Sequence, residues 1–500
     1  MANHLFDPIR AAAAPEAVFI ETAEGRRWTY GDMIRLSGQL AHALARRGVT
    51  PGDRVAVQVE KSPEALMLYL ACLRAGAIYL PLNTAYTLAE LGYFLGDATP
   101  ALVVVDPKVR DSVVEIAGGA VETLDATGGG SLLQLAGAEE ADFSDIERGP
   151  DDLAAILYTS GTTGRSKGAM LTHDNLLSNA LTLRDHWRFT AADRLIHALP
   201  IFHTHGLFVA SNVTLLAGAS MYLLPKFDAD EVFRLMESAT VLMGVPTFYV
   251  RLAQHPGLTR EVAAGMRLFV SGSAPLLAET HRSFSERTGH AILERYGMTE
   301  TNMNTSNPYD GERVAGTVGF PLPGISLRVT DPESGKPLPD GETGMIEVKG
   351  PNVFTGYWKM PEKTAAEFRT DGFFITGDLG KIDGRGYVHI VGRGKDLVIS
   401  GGYNIYPKEV ETEIDGMAGV VESAVIGVPH PDFGEGVTAV VVRQKGSTLD
   451  EKTVLGGLQD RLARYKQPKR VLFVDDLPRN TMGKVQKNVL RETYADLYKA

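Results

Sequence analysis
One cysteine, Cys72, is all that the 500-residue chain contains. No intramolecular disulfide can form, and a cysteine-rich metal centre is excluded. Cys72 lies in the apolar helical run ALMLYLACLRAG and reads as a buried structural thiol. Positive charge is also short: the formal net charge is −11. That argues against a nucleic-acid partner as the main business of the chain. Long apolar runs free of polar residues are missing. Leu195 to Pro225 carries no Asp, Glu, Lys or Arg, a length that could span a bilayer. His197, Pro200, His203, His205 and Asn212 interrupt it, so it reads as strand, loop, buried helix and the strand SMYLL, with no membrane partner. The opening MANHLFDPIRAAAAPEAVFIE lacks a basic segment followed by an apolar core, so no signal peptide is expected and the expected location is cytoplasmic. The motif G-x-x-x-x-G-K-[ST] is missing too, which excludes a P-loop kinase. No internal repeat is found.

What is there is alternation. DRVAVQV, AIYLPL, ALVVVD, RLIHALP, ATVLMGVP and MRLFVSG are short apolar runs bounded by turn residues, most of them separated by helical segments. SPEALMLYLACLRAG is one such helix, with Ser62 as N-cap and Pro63 at the first helical position. The pattern predicts an α/β fold with strands buried on both faces. Residues 126–150, polar and glycine-bearing, read as a surface connection between two lobes. From about Gly316, SLRVTD, GMIEVKG, GYVHIVGR and DLVISGGYNIYP predict a mostly antiparallel β unit. After Tyr406 helix and strand alternate again, as in a small α+β domain.

The chemistry concentrates in six stretches. LYTSGTTGRSKG, residues 157–168, follows a strand-like LAAILY. It packs Gly161 and Gly164, the hydroxyls of Thr159, Ser160, Thr162 and Thr163, and Lys167. Exposed amides, hydroxyls and a cation are the ingredients of a phosphate-holding loop, although the spacing is not that of a P-loop. PIFHTHGLF carries His203 and His205 without a third ligand at metal spacing, so a buried hydrogen-bonded pair and a metal site stay equally open. RLFVSGSAPL and ERYGMTETNMN each run from a strand into a glycine-bearing polar loop, where open α/β sheets bind ligands. Tyr296 there offers a flat face for a base, and Glu300 a carboxylate for magnesium, helped by phosphate oxygens. In FFITGDLGKID, Asp378 follows a short strand between two glycines, placed either to accept from both ribose hydroxyls or to close a β-turn. VGRGKDLVISGGYNIYP carries Arg393, Lys395 and Asp396 on a hinge-like connection. In LPRNTMGKVQK, Lys484 follows a tight turn that would project it from the small domain.

In this order the six stretches resemble the adenylate-forming superfamily of acyl-CoA synthetases, firefly-type luciferases and peptide-synthetase adenylation domains, over essentially the whole chain. The resemblance implies an N-terminal domain, residues 1–394, of α/β sheet subdomains with a distorted β-barrel-like subdomain. It implies a small mobile α+β domain, residues 395–500, carrying a catalytic lysine. ATP, Mg2+ and coenzyme A are the implied cofactors. Thr159 to Gly164 and Lys167 would contact the ATP phosphates. Ser273, Ala274, Pro275, Glu294, Arg295, Tyr296, Gly297, Met298 and Thr299 would surround the nucleotide, with Tyr296 against the adenine. Glu300, with Thr159, would hold magnesium, and Thr299 and Glu300 would join Lys484 as catalytic groups. Asp378 would hold the ribose with help from Arg393. Lys484 would face the substrate carboxylate and the α-phosphate, Lys395 would be the hinge, and Gly401, Gly402 and Tyr403 would line the coenzyme A tunnel.

The acid remains. Fatty and aryl acids need an apolar pocket, whereas here Arg251 follows Thr247 by one helical turn in GVPTFYVRL, and His205, Ser271, Ser273 and Arg295 lie nearby in the motifs. A buried guanidinium is costly unless it meets an anion, and a second substrate carboxylate supplies one with bidentate geometry. A small dicarboxylate clamped by Arg251 is therefore expected; the alternative puts Arg251 on the outer face of its helix. VEKSPEALMLYLACLRAGA, LPLNTAYTLAEL, GVPTFYVRL, ERYGMTETNMNTSNPY and VISGGYNIYPKEVE resemble bacterial malonyl-CoA synthetases, which implies malonate, with methylmalonate as a tolerated second acid. A synthetase for an oxalate- or coumarate-type acid is the alternative, followed by an adenylation enzyme that loads a carrier protein. Acylation of Lys484 would remove the adenylation cation, so regulation by that modification is expected.

Overall fold
The computed structural model describes residues 3–159, 166–400, 403–459, 461–462, 464–480 and 483–499. The strand-like runs form two large sheets. Arg54–Gln58, Ile78–Pro81, Leu102–Val105, Ala120–Thr123 and Leu153–Thr159 pair in parallel, and Lys167–Thr172 and Gly356–Tyr357 complete the sheet antiparallel, seven strands among the described residues. In the second, Arg194–His197, Ser220–Leu223, Val241–Gly244, Leu268–Ser271 and Leu293–Met298 form the parallel centre of nine strands among the described residues.

The period-2 geometry of a strand sends alternate side chains to opposite faces. Leu102 and Val104 enter the largest core, together with Leu195 and Val270 of the second sheet, while Val103 and Val105 enter a separate core with Ile156. Ile196, Leu242 and Phe269 feed a third core on the far face of the second sheet. Both sheets are thus buried on both faces, as continuous apolar strands require. Helix Pro63–Arg74 is buried along its whole length. Ser62 Oγ accepts from the Ala65 amide at 3.1 Å, and burial pushes the Cys72 thiol well up. Among the described residues no helix is long and apolar enough to cross a membrane.

Three expectations change in detail. The polar stretch 126–150 contains helix Ser131–Gly137, which buries Leu132 and Ala136. Asp145 pairs with the buried Arg74 (Nε, 2.6 Å), so this connection is stitched to the first lobe. The antiparallel unit is an open sheet of Ser326–Thr330, Gly344–Lys349, Phe374–Ile382 and Val388–Arg393, with no closed barrel among the described residues. DLVISGGYNIYP leaves that unit: Val398–Ser400 and Tyr403–Ile405 join a five-stranded sheet with Val420–His430, Gly434–Arg443 and Arg470–Val474. The cause is packing, since Val398 and Ile405 are buried with Val410, Ile414 and Val454 of the small α+β unit.

Candidate functional site
The parallel strands of the second sheet end together at His197, Gly244, Ser271 and Met298. Ligands of open α/β sheets sit at such carboxyl ends. The nucleotide motifs meet there from distant parts of the chain. The Tyr296 hydroxyl donates to Asp378 Oδ2 at 2.5 Å, and Arg393 Nε pairs with Asp378 Oδ1 at 2.7 Å. Asp378 does not close a turn. It lies inside strand Phe374–Ile382, in register with Arg393, and Gly377 at φ +74° precedes it. Each carboxylate oxygen has a second lone pair, so Asp378 keeps acceptor capacity beyond these two partners. Gly297 passes close to the next strand: a Cβ there would stand 1.8 Å from the Asn302 carbonyl oxygen. Glu294 is buried, which pushes its carboxyl up to about 8, and its Oε1 accepts from the Gly316 amide.

On the phosphate side, Ser160, Gly161, Thr162, Thr163 and Gly164 lie outside the described residues. Thr159 Oγ1 is 3.4 Å from the Lys167 carbonyl oxygen across the hairpin. Lys167 Nζ is 3.3 Å from Glu367 and 4.0 Å from the centre of the Tyr357 ring. Glu300 is buried, and burial pushes its carboxyl up. The Tyr357 hydroxyl lies 2.9 Å from Glu300 Oε1. A buried carboxylate that meets a phenol suits a magnesium ion that brings its remaining ligands as phosphate oxygens and water. The sequence reading missed Tyr357 and Glu367. They sit in GYWKMPEKTAAEF, where nothing in the local pattern marks them.

The two arginines expected near the acid differ in burial. Arg295 is 3% exposed, and its Nε and Nη2 have no hydrogen-bond partner among the described residues. Ser271 Oγ and His205 Nε2 are buried and unpartnered in the same way. Burial pushes the Arg295 guanidinium down to about 9, and burial followed by the Arg295 and His203 charges keeps His205 neutral. Ser273, held at φ +73°, sets its Oγ 3.2 Å from His205 Nδ1. Backbone strain of this kind persists only where the surroundings enforce it. Gly272 makes the seat: a Cβ there would lie 2.3 Å from Arg295 Cζ. Arg251 is not enclosed with them. Helix Pro246–Gln254 buries Pro246, Tyr249 and Leu252, and position 251 falls on its exposed side. The premise of a buried Arg251 clamp is thereby removed.

Lys484 arrives from the small unit. Its turn is held by Lys484 N on Asn480 Oδ1 (2.9 Å) and by Arg479 Nη1 on the Gly483 carbonyl oxygen (2.7 Å). Gly483, at φ +73°, abuts Thr247. Burial, then the Arg393 and Arg295 charges, push Lys484 down to about 8 despite Asp378 and Glu300. Lys395 is exposed on a short turn whose Asp396 pairs with Arg491 at 2.9 Å. Tyr403 is 56% exposed and stacks on Tyr465, ring centres 4.6 Å apart. Gly401 and Gly402 lie outside the described residues. Ala274, Met298 and Thr299 are half-buried and Pro275 is exposed.

Comparison with known proteins identifies the family. Residues 9–358 match the AMP-binding enzyme family, and residues 409–484 match the AMP-binding enzyme C-terminal domain. The chain belongs to the AMP-binding enzyme family. It is similar to the ATP-bound crystal structure of MatB from Rhodopseudomonas palustris, 68% identical over 100% of both chains with a TM-score of 0.98. Against the apo crystal structure of the same protein, also 68% identical over 100% of both chains, the TM-score is 0.87. A feruloyl-CoA synthase from Amycolatopsis sp is 39% identical over 490 residues, 97% of each chain. A malonate–CoA ligase from Arabidopsis thaliana is 34% identical over 524 residues, 94% of this chain and 85% of that one. ATP and coenzyme A are the substrates such synthetases use.

Proposed function
We propose that the protein is an AMP-forming acid–thiol ligase that joins malonate to coenzyme A. One observation carries the choice of acid: a buried guanidinium, Arg295, with unpartnered nitrogens, beside the unpartnered Ser271 Oγ and His205 Nε2. A buried cation without an anion is unfavourable, and the distal carboxylate of a short diacid satisfies it. An aryl acid such as ferulate would leave the guanidinium bare. The similarity to a malonate–CoA ligase points the same way.

Two steps follow. An oxygen of the reacting carboxylate attacks the α-phosphorus of MgATP, the bond to the bridging oxygen breaks, and pyrophosphate leaves. Two anions must approach each other, so the work is charge compensation and positioning. Lys484 stands between the acid and the α-phosphate. Lys167 and the loop from Thr159 to Gly164 hold the outer phosphates. Glu300, assisted by Thr159, is the protein's ligand for the magnesium of the substrate, and Thr299 borders the same point. Tyr296, Asp378 and Arg393 hold the nucleoside. In the second step the coenzyme A sulfur attacks the adenylate carbonyl carbon, the thiol proton passes to water, and the bond from that carbon to the phosphate oxygen breaks, its electron pair leaving with AMP. Coenzyme A enters past Gly401, Gly402 and Tyr403, after the small domain turns at Lys395 and withdraws Lys484. Acylation of Lys484 would block the first step alone. Methylmalonate is a second acid, and the expected location is cytoplasmic.

Pyrophosphate release with malonate, methylmalonate, succinate, oxalate, acetate, octanoate and ferulate tests this reading. Malonate should dominate, and Arg295→Met should lose at least about 2 kcal/mol of transition-state stabilisation toward it. Arg251→Ala should match wild type. A preferred monocarboxylic acid, or an indifferent Arg295→Met, would sink the diacid assignment.

A further inference from the structure
Glu367 belongs to none of the motifs that announce the site, yet it stands at the phosphate end of it. It closes helix Pro361–Ala366. Three links bring it there. Strand Gly356–Tyr357 pairs with Lys167–Thr172, setting Tyr357 opposite Ala169. The Tyr357 amide donates to Thr364 Oγ1 at 2.9 Å, tying the helix to that strand. The Ile375 amide donates to the Glu367 carbonyl oxygen at 2.8 Å, tying its backbone to the strand that carries Asp378. The side chain then meets three groups at once. Its Oε1 is 3.3 Å from Lys167 Nζ and 2.7 Å from Lys363 Nζ, and its Oε2 is 2.7 Å from the Tyr357 hydroxyl.

That hydroxyl also lies 2.9 Å from Glu300 Oε1. A phenol has one hydrogen to donate, so two carboxylates compete for it. Given to Glu367, it leaves Glu300 facing an oxygen lone pair, an arrangement that favours a cation on Glu300. We propose that Glu367 is a positioning residue for the triphosphate end of the site. It holds the Lys167 ammonium and draws the Tyr357 hydrogen away from Glu300, so that the phosphate cation and the metal carboxylate are set together. This inference rests on the reading of Lys167 and Glu300 as ATP-facing groups.

The test measures KM for MgATP, malonate and coenzyme A, and inhibition by pyrophosphate, in the full-length enzyme. The variants are Glu367→Gln, Glu367→Asp, Lys167→Ala and the Lys167→Ala/Glu367→Gln pair. Glutamine keeps the volume and an acceptor for Tyr357 but loses the charge that holds Lys167. Glu367→Gln should raise KM for MgATP about tenfold, weaken pyrophosphate inhibition, and leave the other two KM values within about twofold. Glu367→Asp should recover part of the loss. Added to Lys167→Ala, the Gln change should have no further effect, because coupled residues are non-additive. Additive effects in the pair overturn the proposal. So does an equal rise in all three KM values with a lower Tm, the mark of a general structural role. An impaired Lys167→Ala beside an unchanged Glu367→Gln overturns this inference alone. A Lys167→Ala enzyme with normal MgATP kinetics overturns the reading of that lysine, and this inference falls with it.

Discussion
Two arginines illustrate how residue-scale facts decide the substrate. Arg251 and Arg295 are both cations in segments expected to border the acid, and composition cannot rank them. Burial does: Arg295 is enclosed with free donors, whereas Arg251 is exposed. The seat of Arg295 depends on the absence of a side chain at position 272. A Cβ added there would meet the guanidinium, the far end of a flexible side chain, at 2.3 Å. Gly272→Ala should therefore fold normally while displacing the anion-binding group. Its Tm should stay within a few degrees of wild type, and KM for malonate should rise at least about tenfold. A large loss of Tm with an unchanged KM would show that the guanidinium is not what fills that space.

At the scale of elements, the turn from His205 to Ser211 is π-helical. Such turns are uncommon and cluster at functional sites. The Gly206 carbonyl oxygen inside it accepts from His197 Nε2 and Ser211 Oγ, both at 2.9 Å. Since His197 Nε2 carries the hydrogen, Nδ1 must accept, and the buried Lys61 Nζ donates to it at 2.9 Å. This chain of donors fixes the segment that carries His205. Gly206 is also pressed on Pro200, whose carbonyl oxygen would lie 2.0 Å from an added Cβ. Here the obstacle is backbone, so Gly206→Ala should cost about 2 kcal/mol or more of stability, seen as a lower midpoint of denaturant unfolding. An unchanged midpoint would mean the π-turn can relax. HTHG showed in the sequence as a polar island in an apolar run, but its hydrogen-bond pattern did not, because that pattern depends on Lys61, 136 positions away from His197.

For the whole molecule the decisive fact is docking of the small unit. The higher TM-score against the ATP-bound form of the Rhodopseudomonas palustris protein, 0.98 against 0.87 for its apo form, places this chain nearer the ATP-bound shape. Docking surrounds Lys484, and burial and the Arg393 and Arg295 charges bring it down to about 8. A lysine whose pKa is lowered is protonated below that value and neutral above it. The cation that step one needs is thus lost as pH rises through about 8 in the free enzyme. The kcat/KM for malonate in pyrophosphate release should fall on the alkaline side of that value. Thioester formation from preformed malonyl-adenylate should lack this limb if, as proposed, Lys484 is withdrawn before that step. The same limb in both half-reactions would assign the titration to another group.

The sequence by itself determined the α/β alternation, the buried helix around Cys72, and the nucleotide motifs. Each of these is written over a few neighbouring residues, as period-2 burial, a Ser-Pro helix start, or a glycine-rich loop. Only the tertiary structure decided which arginine is enclosed, that Asp378 is a strand residue braced by Tyr296 and Arg393, and that Glu367 meets Lys167 across 200 positions. Burial and charge pairing depend on which faces of distant elements are pressed together, and a local pattern does not carry that information.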